Sequence, residues 1–124
     1  MSSELSKIIH ESFPKLFSFE HYGKEYFVGI ETEDGWYDLI KELSGKISAI
    51  DPEAKVHQIK EKFSTMRYYC SYTNDRVSDL IREYEQASAK ICEICGKGGK
   101  VRNDLGWIKT LCEKHYKEIK SSRK

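Results

Sequence analysis

Two short motifs near the carboxyl end restrict this chain more than any other feature. Cys92-Glu-Ile-Cys95 and Cys112-Glu-Lys-His115 are separated by sixteen residues, so a CxxC pair is followed by a CxxH pair, and three of the four cysteines lie in them. Residues three apart can grip one ion from a single turn of chain. Two such pairs supply the four sulfur and nitrogen donors that tetrahedral zinc takes, iron being the less common occupant. With all four positions filled by protein, no place remains for an activated water. The expected cofactor is therefore a structural Zn2+ held by Cys92, Cys95, Cys112 and His115, stapling a segment too small to fold alone, and no catalytic residue is assigned.

The intervening residues suit that role. Gly96 lets the backbone turn under the first sulfur pair, Lys100 to Arg102 and Trp107 to Leu111 read as a hairpin across Asn103-Asp104-Leu105-Gly106, and Thr110-Leu111-Cys112-Glu113 has the form of a capping box that would start a helix at Thr110. Knuckle, hairpin and helix in this order resemble the treble-clef zinc finger over about residues 92 to 119. Treble-clef nucleases carry a histidine in the hairpin to activate water, and residues 96 to 111 have none, so the resemblance implies a scaffold and not a hydrolase.

A chain of 124 residues holds one domain, or one small domain and an appendage. With 33% charged residues but 8 Tyr, 5 Phe and 2 Trp, it can bury a modest core. The expected division is an α+β domain over residues 1–91 and a zinc module over 92–124 packed on it. The longest apolar stretches, such as Tyr26 to Ile30, are far too short to span a bilayer, and no basic-then-apolar leader opens the chain. The expectation is no membrane contact and a cytoplasm that keeps thiols reduced. The net charge of +1 hides a division: residues 92–124 carry 9 Lys and Arg against 4 Asp and Glu, so the carboxyl end is locally +5 and the rest −4.

Along the chain, Leu5, Ile8, Ile9 and Phe13 have helical spacing that Pro14 interrupts. Lys24 to Glu31 alternates as a strand. Trp36, Leu39, Ile40, Leu43, Ile47 and Ile50 form the apolar stripe of a second helix, which Asp51-Pro52 ends, with Trp36 in the core and Tyr37 off the stripe. Lys55 to Phe63 and Arg67 to Tyr72 read as two strands joined by Ser64-Thr65-Met66. Asn74 or Asp75 caps a last helix whose stripe is Val77, Leu80, Ile81, Tyr84, Ala87 and Ile91. The predicted fold is α+β: helices on a small antiparallel hairpin sheet, followed by the treble-clef-like module. Cys70 reads as a small buried side chain, and His10, His21 and His57 show no partner pattern.

Alternation on the hairpin predicts that Ile59 and Phe63 face the core while Lys60, Lys62, Arg67 and Tyr69 share the opposite face. Cations beside an aromatic ring suit a phosphate-bearing, base-containing ligand, with Tyr37 as a possible helper.

The segments Asp34-Gly-Trp-Tyr-Asp-Leu-Ile40, Ile59-Lys-Glu-Lys-Phe63 with Met66-Arg-Tyr-Tyr69, and Cys92-Glu-Ile-Cys-Gly96 with Gly106-Trp-Ile-Lys-Thr-Leu-Cys112 and His115 resemble a group of small phage and prophage proteins. That resemblance implies a bacterial host cytoplasm and lends no reaction. By analogy with small phage proteins that act against host defence, the leading expectation is a non-enzymatic sponge for a host immune second messenger. Two others stand beside it. One is nucleic-acid binding by Lys97, Lys100, Arg102 and Lys109 beside Trp107. The other is a protein-interaction module docking through Trp107, Tyr116 or the hairpin edge, and a homo-oligomer is compatible with so small a binder.

Overall fold

Pro14 divides the amino-terminal helical segment in two. In the computed structural model, which describes residues 1–122, α1 (Ser3–Ser12) starts under the Ser2 hydroxyl, which accepts from the Leu5 N–H at 3.3 Å. Pro14 then opens α2 (Pro14–Phe17), because a residue without an N–H fits only a helix's first turn. Ile9, Leu16 and Phe17 join the main core.

The single strand predicted over residues 24–31 is two strands that belong to different sheets. β1 (Ser18–His21) pairs with β2 (Lys24–Phe27) across Tyr22-Gly23, both at positive φ (52° and 76°), the backbone that a two-residue hairpin turn demands. Beyond Val28-Gly29 the chain leaves that hairpin, and β3 (Ile30–Glu31) joins a different sheet by lying parallel to the strand that carries Ile59. The hairpin partner β1, which the sequence reading lacks, is what breaks the strand.

After a 3-10 turn at Asp34–Trp36, α3 (Tyr37–Ile50) buries Leu39, Ile40, Leu43 and Ile47 as the stripe predicts, and Trp36 is fully buried. β4 (Lys55–Lys62) and β5 (Thr65–Ser71) form the expected hairpin, but the turn is Phe63-Ser64, both left-handed (φ 51° and 75°), one residue earlier than predicted. Two corrections follow from that shift. Phe63 is a turn residue, 68% exposed, and not a core residue, whereas Met66 is a buried strand residue opposite Glu61. A bulge between Val56 and Gln58 also lets Val56 and Ile59 both face the core, which simple alternation forbids.

The sheet order is β3-β4-β5. α3 and α4 (Arg76–Ser88) cover its Ile59, Met66 and Tyr68 side, where the Ser44 hydroxyl meets the Tyr68 hydroxyl at 2.9 Å and the Ser88 hydroxyl accepts from the Met66 N–H at 2.9 Å. Helix α4 stops three residues short of Ile91, whose carbonyl is taken by the Trp36 indole N–H at 2.9 Å and whose backbone bridges to Gly98.

The carboxyl-terminal segment has its own small cluster of Cys92, Leu105, Leu111 and Cys112. Its hairpin, β6 (Lys100–Arg102) with β7 (Lys109–Leu111), is as expected, but α5 (Glu113–Ser122) begins three residues later than the capping box implies. Thr110 is a strand residue opposite Val101, and its hydroxyl donates to the Ser64 carbonyl at 2.7 Å, so tertiary pairing outcompetes the local cap. The segment is tied to the rest by Glu93, whose carbonyl accepts from the Gly35 N–H at 2.6 Å and whose carboxylate accepts from the Glu33 N–H and pairs with Lys109. Arg123 and Lys124, the last two residues of the expected module, lie outside the described residues.

Candidate metal centre and ligand face

Each predicted metal ligand is delivered by a different local device. Cys92 and Cys95 flank a tight turn in which Gly96, at φ 81°, donates its N–H to the Cys92 carbonyl at 2.9 Å. Cys112 immediately precedes α5, and His115 lies in its first turn. The four donor atoms lie within 4.8 Å of one another. Cys95 Sγ to Cys112 Sγ is 3.7 Å, Cys92 Sγ to His115 Nδ1 is 3.6 Å, and Cys112 Sγ to His115 Nδ1 is 3.2 Å. Metal bonds of about 2.0 to 2.3 Å would set tetrahedral donors about 3.3 to 3.8 Å apart, close to these three separations, so small side-chain adjustments bring the four onto one ion.

The electrostatics favour at least one thiolate. The His115 backbone N–H points at the Cys112 sulfur from 3.5 Å and pulls that thiol down to about 6, aided by its place at the positive end of α5. Burial pushes the Cys95 thiol up instead. Cys70, outside the cluster and expected to be buried, is half-buried against the main core, with its thiol pushed up to about 11 by burial.

The second predicted site is brought together in part. Lys60 and Arg67 are opposite one another in the ladder, Tyr69 is two residues from Arg67, and Lys62 two from Lys60, so these four share the face turned away from α3 and α4. Tyr37 belongs to α3 on the other side, with the Lys41 ammonium 5.7 Å from its ring centre. Of the ion pairs among the described residues, none includes Lys60, Lys62 or Arg67. Arg67 Nε is buried with no acceptor among the described residues.

The basic residues of the carboxyl-terminal segment are less free. Arg102 donates to the Leu111 carbonyl, pairs with Glu113 at 3.2 Å and lies 4.3 Å from the Tyr116 ring centre, while Lys109 is engaged by Glu93 at 3.2 Å. Tyr116 itself donates to Asp104, which Lys120 also contacts, and that carboxyl is held below its usual range by those two partners.

Sequence reasoning missed the residues that border the ligand face. Glu31 reaches it through the parallel pairing of β3, and Phe19 through the unpredicted hairpin; the available signals were Tyr22-Gly23 as a hairpin turn and Gly29 as a break in the apparent strand. No helix among the described residues is long and apolar enough to cross a membrane. Compared with protein-family models, with curated proteins and with solved structures, the chain finds no match.

Proposed function

We propose that this chain is a non-enzymatic, zinc-stabilised binding protein whose outer sheet face takes up a phosphate-bearing nucleotide. The observation that carries the reading is the Lys60–Arg67 rung. Glu31 stands beside Lys60 on the neighbouring strand, but Arg67 has a like charge opposite it and a buried guanidinium N–H without an acceptor among the described residues, which costs free energy, so the Arg67 end of the face is poised for an anion. Tyr69 on the same face supplies a ring on which a base can stack. Zinc is the ion we assign to the Cys/His cluster, because three sulfurs and an imidazole at tetrahedral spacing are its preferred closed set. The resemblance to small phage proteins is what supports the finer reading, sequestration of a signalling nucleotide inside a bacterial host.

The test is calorimetric titration with linear and cyclic nucleotides. A micromolar affinity, about −8 kcal/mol, is expected, weakened at least about tenfold by Arg67→Gln and untouched by Lys41→Ala on the far side of the sheet. Absence of heat with every nucleotide, at protein concentrations about 50 times a micromolar Kd, overturns the reading. For the metal, elemental analysis should find one zinc per chain and none in Cys95→Ser.

A protein-docking reading has one specific observation in its favour. Phe63, Trp107 and Ile108, exposed by 68%, 45% and 41%, border one cleft where the β4–β5 turn meets the carboxyl-terminal hairpin. A stoichiometric host protein retained by the wild type and lost with Phe63→Ser would favour it. The nucleic-acid reading is weakened by the engagement of Arg102 and Lys109 in ion pairs.

A further inference from the structure

Beside the cationic face lies a cleft of about 430 Å³, between the β1–β2 hairpin and the outer side of the main sheet. Its walls are aromatic: Phe19 and Phe27 from the hairpin, Tyr69 from β5. The two phenylalanine rings are held in place by their neighbours, Phe19 stacked on Tyr26 (5.6 Å between centres, 23° between planes) and Phe27 on His10 (5.1 Å, 21°). His10 is fixed in turn through Nε2, 2.8 Å from the Val28 carbonyl. Rings braced in this way form a stacking site that loses little freedom when a planar ligand enters.

The polar groups in the cleft are Glu31, Gln58 and His57. Gln58 Nε2 donates to Glu31 Oε2 at 3.3 Å, so one amide proton orients the carboxylate and the second remains to face a ligand. The Gln58–Glu31 pair therefore offers one donor beside two carboxylate acceptors, with the Gln58 carbonyl and the His57 ring as the remaining polar groups of the cleft. Among the bases, guanine alone presents the complement on its pairing edge: an acceptor, O6, followed by two donors, N1–H and the 2-amino group. Adenine presents a donor followed by an acceptor and would leave Glu31 facing a lone pair. Gln58 and Tyr69 form one rung of the ladder, and Glu31, Lys60 and Arg67 form the next same-face row, in which Glu31 and Arg67 stand two strands apart, about 9.6 Å, enough to separate a base's pairing edge from its phosphate.

We propose that this cleft selects guanine nucleotides, with the base stacked against Phe19, Phe27 and Tyr69, its N1–H and 2-amino donors on Glu31, its O6 on the free Gln58 amide proton, and its phosphate on Arg67, two strands from Glu31. The inference rests on the phosphate-binding reading of the same face. Glu31 is the specificity-determining residue, and Gln58 both positions it and reads the base.

The experiment titrates the zinc-loaded full chain with GMP, IMP, AMP and ribose 5-phosphate. GMP should bind at least about tenfold tighter than AMP, with IMP, which lacks the 2-amino donor, in between. Glu31→Gln should bring GMP to within about threefold of AMP without weakening ribose 5-phosphate, since the charge it removes lies beside Lys60, and its melting temperature should match the wild type because Glu31 is exposed. Equal affinity for GMP and AMP, with both weakened by Arg67→Gln, overturns guanine selection and leaves the phosphate face standing. No binding of any of the four probes overturns both.

Discussion

Gly35 sits where a β-carbon would be driven into the backbone of Cys92 and Glu93, and its own N–H donates to the Glu93 carbonyl at 2.6 Å. Backbone cannot yield as a flexible side chain can, so the carboxyl-terminal segment can dock only if position 35 is glycine. Gly35→Ala should cost about 2 to 3 kcal/mol in urea denaturation. Gly29→Ala, where nothing lies within 4 Å of the added carbon, should stay within about 0.5 kcal/mol of wild type. Gly96 carries a related demand, since its φ of 81° is one that residues with a β-carbon rarely adopt. Its role is legible in sequence because a glycine directly after CxxC is a local signal. The role of Gly35 is not, since its neighbour in space is nearly sixty residues away.

Among the elements, the end of α3 shows how one side chain joins two helices. Asp51 is the residue at which α3 ends, and its buried carboxylate accepts from the Thr73 N–H (2.5 Å) and hydroxyl (2.8 Å), the Asn74 N–H (3.0 Å) and the Glu53 N–H (3.1 Å). It thereby anchors the link from β5 to α4. These donors, led by the Thr73 N–H, hold its carboxyl below the usual carboxylate range. A carboxyl whose folded value is depressed adds stability above its unfolded value, about pH 4, and that contribution is lost as pH falls through the folded value. Asp51→Asn should therefore lower the urea midpoint at pH 7 and flatten its decline below about pH 4; an unchanged acid limb would remove Asp51 from this role. The sequence marks Asp51-Pro52 as a helix stop, because helix termination is local. What the carboxylate holds on its far side depends on where Thr73 and Asn74 arrive.

For the whole molecule, the Cys/His cluster and the main core are linked through few contacts. The carboxyl-terminal cluster has four buried members, two of which are the ligands Cys92 and Cys112, so without an ion little apolar surface holds it. Ile91, the residue just before Cys92, also supplies the carbonyl that satisfies the buried Trp36 indole N–H. Removing the ion with a strong chelator should lower the melting temperature by about 10 °C or more and shift tryptophan emission to the red, both restored by added zinc. Unchanged melting and emission in protein proven metal-free would show that folding does not depend on the ion. The ligand set, the hairpin between its halves and the stripes of α3 and α4 could be read from sequence alone, because ligand spacing and helical periodicity are properties of a few consecutive residues. The tertiary structure decided the rest: the β1–β2 pairing, the parallel entry of β3, the bulge at Val56, the strand fate of Thr110, and the meeting of Phe19, Glu31, Gln58 and Tyr69 around one cleft. Of these only the β1–β2 pairing is local, marked by Tyr22-Gly23; for the others the deciding partner lies farther along the chain, and closure of the intervening loops selects it over the local alternative.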